Sequence, residues 1–240
     1  MIEIWLLAAH VVILGYWLGS ELVINSTYRY VCYNERMPFE ERSHLMDHVM
    51  DVDQHVRYAL VLQASLGTTL AALYGYIPGG DVLATSAAIF GAVWLIFVEI
   101  AHRLRKAPNG KTLGSIDIAS RYLLIAVFLS VAAGLIGDNW NMPGWLRVKL
   151  ALFAGVIACG VGIRFALIAH FKTWAIMARD GQSSETNAII KKTYVTATSI
   201  LVLLWIFILA IAVLSLWKPS ESLAIIVYSK KTEALYMYPD

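Results

Sequence analysis

Six stretches of this chain, roughly residues 4–25, 56–77, 82–102, 116–136, 148–171 and 194–217, are rich in apolar residues and almost free of breakers. Each is about as long as the ~20 mostly apolar residues a helix needs to cross a bilayer. The fold class they predict is all-α, an integral membrane helical bundle with about six transmembrane helices over residues 1–217, followed by a tail at 218–240. Composition agrees. The chain is 59% hydrophobic and 15% charged, against about 45–50% and about 25% in soluble domains. The N-terminus lacks a basic flank and a small-residue cleavage pattern, so it reads as the first span rather than a signal peptide. A net charge of +2 gives no sign of a nucleic-acid partner. Cys32 and Cys159 belong to no CxxC pair, which speaks against a disulfide framework or a thiolate metal site.

The connections separate into two kinds. "PGGD" and "GDNWNMPGW" are short and carry turn residues and Trp, which suit a membrane interface. The others are richer in basic residues, among them Arg29, Arg36, Arg42, Arg103, Arg105, Lys172, Arg179, Lys191 and Lys192. The positive-inside rule then places those loops in the cytoplasm and both termini outside, in a bacterial inner membrane. From Phe39 onward the first basic loop reads as a helix running without a break into span two. In the tail, two β-favouring runs flank "KKTE" and suggest a small hairpin; a partly ordered tail, able to dock on other membrane subunits, is the alternative.

"SHLMDHVMDVDQHVRY" concentrates ligand-type residues where the chain enters span two. At 100° per residue, His44, His48, Asp51, His55 and Tyr58 form one stripe. Helical rise separates His44 from His55 by about 16 Å, too far for one ion. The expected metal set is His48, Asp51 and His55, joined by Glu99 and His102 from span three; His44 is expected to face water. Imidazoles and carboxylates suit iron or zinc better than monovalent copper. A solvated helix face explains the same stripe without any metal.

Other ionisable residues fall inside the spans, where they are costly and usually paired or functional. Towards the basic side lie Glu21, Arg57, Glu99, His102, Asp117, Arg121, Arg164 and His170; towards the other side lie His10 and Lys149. Glu99 and His102 have the Glu-x-x-His spacing of carboxylate-bridged metal pairs in bundles. Arg57, Arg121 and Arg164 are not metal ligands. They read as ion-pair partners, or as partners of haem propionates.

In span one, His10 is followed after six residues by Trp17-Leu18-Gly19. In span five, "RVKLALFAGVIACGVGIR" places Lys149 and Arg164 near opposite ends. These two helices resemble those of the CopD-type copper-resistance membrane proteins and are similar to the haem-containing protoporphyrinogen oxidases of the HemJ type. The resemblance implies a bundle around a b-type haem, with His10 as a haem ligand and Lys149 as a functional lysine, or else copper handling. The histidine-rich loop, the sixth span and the tail depart from both patterns.

The expected cofactor-binding residues are thus His10, His55, His102, His170, Lys149, Arg57, Arg121 and Arg164. The expected function is that of an inner-membrane protein that binds haem b or a transition metal (iron, zinc or copper) and serves electron transfer or oxidation, within a larger complex or alone. A CopD-like transport protein and a non-catalytic structural membrane subunit are the alternatives.

Overall fold

The structure is a computed structural model that describes residues 2–105, 107–108 and 110–218. It contains six helices: α1 (Ile2–Tyr33), α2 (Phe39–Leu73), α3 (Gly80–Arg103), α4 (Gly110–Ala132), α5 (Gly144–Asp180) and α6 (Ser184–Trp217). All six are long and apolar enough to cross a membrane, so the all-α multi-pass architecture read from the sequence is the one observed. The tail beyond Lys218, with its expected hairpin, lies outside the described residues.

Local chemistry sets the helix boundaries. Pro38 and Pro143 stand immediately before α2 and α5, with extended backbone at ψ 140° and 151°, where a missing N–H costs nothing. Gly79 turns the chain into α3 with φ 118°, a conformation that a Cβ would strain. A capping box opens α6. The Ser183 side chain accepts from the Thr186 N–H, and the Thr186 hydroxyl accepts from the Ser183 N–H.

The helices run further than the spans read from the sequence. At 1.5 Å per residue, α2 and α5 are about 52 and 55 Å long, while α3 and α4 are about 35 Å. The hydrocarbon core is about 30 Å thick. Four helices therefore project beyond α3 and α4, all on the side of the basic loops. The sequence reads 39–55 as a helix continuous with span two, as observed, and leaves 26–38 and 172–193 as loop because they are polar. Most of those loop residues are helical too, because they pack on one another.

That projection has its own core of Tyr28, Val31, Cys32, Met46, Val49, Trp174, Met177 and Ile190 with their neighbours. At its centre Arg42 is fully buried. Its Nε donates to the Val31 carbonyl at 3.0 Å, and its Nη1 donates to Gln182 at 2.5 Å and Asn187 at 2.9 Å. The guanidinium lies 5.3 Å over the Trp174 ring. A second cluster, including Trp17, Ala59, Val156 and Leu204, fills the middle of the bundle. A third, around Met142 and Trp145, closes the far end.

The packing is uneven. Hairpins α1–α2 and α5–α6 are tight and meet through α1 and α6. Helix α3 leans on α2 and α4 on α5, but α3 and α4 hardly touch. The gap between them positions the site described next.

Candidate functional site

Three arginines from three helices converge on one buried carboxylate. Asp117 of α4 is 3.3 Å from Arg121 Nη2, 3.4 Å from Arg164 Nη1 of α5 and 4.0 Å from Arg57 Nη1 of α2. Arg57 also donates twice to Asp53, one turn earlier, at 3.0 and 3.1 Å. Gly160 and Gly114 face the guanidiniums: a Cβ there would be in ordinary contact, 4.0 Å from a terminal nitrogen of Arg121 or Arg164 respectively. Asp117 and Arg121 are an i,i+4 pair, and pairs of this spacing meet on one helix face. The spacing is legible in the sequence; the arrival of Arg57 and Arg164 is not.

Two cavities meet at this cluster. One is an apolar groove of about 390 Å³ between α2, α3 and α4. Leu60, Leu83, Phe90, Trp94, Leu124 and Phe128 line its length, Arg57, Asp117 and Arg121 form one end, and Ser65, Thr68 and Ser86 supply hydroxyls further along. Its mouth is the gap between α3 and α4. The second is a chamber of about 100 Å³ inside the bundle, bordered by Glu21, Asn25, Asp53, Arg57, Arg121 and Thr198 among apolar residues. Arg57, Leu60 and Arg121 belong to both walls. Arg121 Nε is buried and has no hydrogen-bond partner among the described residues. Such a buried donor calls for an acceptor.

The residues expected to hold a metal are not gathered into one shell. His48, Asp51 and His55 are exposed on α2. His55 faces α1, where its Nδ1 is hydrogen-bonded to the Tyr16 hydroxyl. Glu99 accepts from the Tyr58 hydroxyl and from Arg103. The α2 stripe and α3 do meet at one pair: His102 Nε2 is 3.7 Å from Asp51, which Arg105 also approaches at 3.6 Å. No group of three or more His, Cys, Asp or Glu side chains arranged for a metal occurs among the described residues. Successive stripe residues lean to opposite neighbours, α1 and α3, so a shared stripe is not a shared site. His44 is exposed, as expected.

The residues expected to hold a cofactor occupy three levels. His10 is near the far end, the end at which α5 carries Lys149, and Gln63 donates to its carbonyl at 2.8 Å. Its Nδ1 is buried without a partner. The arginine cluster lies nearer the basic side. His170 is fully buried in the projecting bundle. Its Nδ1 is 3.0 Å from the Tyr28 hydroxyl, and its ring stacks on Trp174 at 5.0 Å. The 21 residues from Lys149 to His170 are about 31 Å of helix. His10 and His170 therefore cannot be two axial ligands of one haem.

An iron-ligated haem needs an axial donor facing its space. Among the described residues, no His, Cys or Met lines the groove, and no His or Cys lines the chamber. The groove suits the carboxylates of such a ring and offers its iron no ligand. The sequence marks Glu21 as an ionisable residue inside span one without a role and counts Arg42 only among the loop cations; Arg42 is buried against Gln182, Asn187 and Trp174, which lie far along the chain. No protein-family model matches the chain, and no curated protein or solved structure is recognisably similar to it.

Proposed function

We propose that the protein sits in a bacterial inner membrane, with its basic loops in the cytoplasm and both termini outside. There it binds an apolar molecule carrying a carboxylate or another anionic group in the groove between α2, α3 and α4. One observation carries this reading: Arg57, Arg121 and Asp117 close one end of an otherwise apolar groove. Ligand pockets are mostly apolar with a few placed polar groups, and arginine is the side chain best shaped to hold a carboxylate. The gap between α3 and α4 admits such a molecule from the bilayer. The resemblance to the CopD and HemJ types points to a tetrapyrrole dicarboxylate as the ligand and to oxidation as the chemistry. Association with other membrane subunits, expected from the sequence, belongs to the same proposal and is read from the size of the solubilised assembly.

The test is a fluorescence titration of purified protein with protoporphyrin and with its dimethyl ester. The free acid should bind at least about tenfold more tightly, a difference of about 1.4 kcal/mol. Arg121→Ala should remove most of that preference. Equal binding of acid and ester would end this reading.

A second reading, a resident haem b or metal ion near the far end, is favoured by the buried, unpartnered Nδ1 of His10. An absorption spectrum of oxidised and dithionite-reduced protein, with elemental analysis, tests it. A Soret band lost in His10→Ala supports haem there, and a colourless, metal-free protein excludes it.

A further inference from the structure

The chamber behind the arginines contains a carboxylate that the groove does not use. Glu21 is 6% exposed. Its one hydrogen bond among the described residues is from Trp17 Nε1, at 3.2 Å, one turn earlier on the same helix. Asp53 has two bonds from Arg57, and Asp117 stands among three guanidiniums. Facing the chamber with Glu21 are Tyr28 of α1, Asp53 and Arg57 of α2 and Arg121 of α4. Helices α5 and α6 present no titratable side chain to it, Thr198 being polar but uncharged. The chamber is large enough to hold water.

The charges around the two cavities balance. Glu21, Asp53 and Asp117 oppose Arg57, Arg121 and Arg164. An anion entering the groove adds one negative charge to a neutral set, and uncompensated charge at membrane depth is expensive. Of the three carboxylates, Glu21 has no guanidinium partner to lose on protonation. We infer that the protein takes up one proton on Glu21 when an anionic head occupies the arginine end of the groove, so that ligand binding and proton uptake are coupled. This rests on the groove being the ligand site. Arg57 and Arg121, which border both cavities, are the electrostatic link, and linkage makes the coupling reciprocal.

Decanesulfonate is a suitable probe, because its charge does not change with pH. In detergent-solubilised full-length protein, its affinity should fall by about tenfold per pH unit over the range in which Glu21 is ionised in the free protein and protonated in the complex, as one-proton linkage requires. Glu21→Gln keeps an oxygen for the Trp17 N–H and should bind with the wild-type low-pH affinity at every pH. Asp53→Asn leaves the set one positive charge in excess, so an anion is balanced without a proton and the slope should weaken. Wild-type binding without a slope, or a slope that survives in Glu21→Gln, overturns the coupling while leaving the groove as the ligand site. Binding that is absent at every pH, or unchanged in Arg121→Ala, overturns the groove reading and the coupling with it.

Discussion

Asp117 lies between two demands at the residue scale. It draws three guanidiniums together, and it competes with any anion for them. Asp117→Asn should therefore move stability and binding in opposite directions. Removing one partner of a buried ion pair costs about 3–5 kcal/mol. Arg57 and Arg164 keep 24% and 35% side-chain exposure, so water offsets part of that, and a loss of roughly 2–4 kcal/mol is expected on unfolding in detergent. Decanesulfonate affinity should rise by roughly tenfold, about 1.4 kcal/mol. A fall in affinity would show that Asp117 helps to hold the ligand rather than competing with it.

Elements are joined at their ends by a few polar contacts. The Ser183 cap opens α6 three residues beyond the end of α5, so it holds the turn of that hairpin. Ser183→Ala should cost about 1 kcal/mol, visible as a lower melting temperature with unchanged ligand binding. The α1–α2 turn is tied to α6 by Glu35, whose carboxylate is 2.5 Å from Lys191 Nζ. That hydrogen bond and charge hold the Glu35 carboxyl below its ordinary value of 4.5. A carboxyl depressed in the folded state contributes stability above its unfolded value and loses it as pH falls through the folded value. Stability should thus decline below about pH 4.5, and in Glu35→Gln that decline should be shallower by a small amount, since the pair is exposed and screened. Identical acid melting profiles for the two proteins would show that the pair contributes nothing.

For the whole molecule, six crossings place both termini on one side, and the long helices α1, α2, α5 and α6 project from the other. With that projection in the cytoplasm, as proposed, a reporter active only outside the cytoplasm should work when fused after Asp240 and fail when inserted at Gly181. The reverse pattern would invert the orientation and put the arginine end of the groove in the outer leaflet.

Six apolar runs of spanning length were sufficient to specify six helices, because length and hydropathy are local properties. Turn residues such as Pro38, Gly79 and Pro143 marked their boundaries for the same reason. Helical spacing also put Asp117 beside Arg121 and laid the histidines in a stripe. Spacing along one helix says nothing about which neighbour each residue meets. Only the tertiary structure sent His55 to Tyr16, Glu99 to Tyr58 and His102 to Asp51, dispersing the expected metal set. Only packing buried Arg42 and His170, since the side chains that cover them lie more than a hundred residues away. The groove exists because α3 and α4 lean on different partners, and its charged end because Arg57, Arg121 and Arg164 reach one carboxylate from three helices.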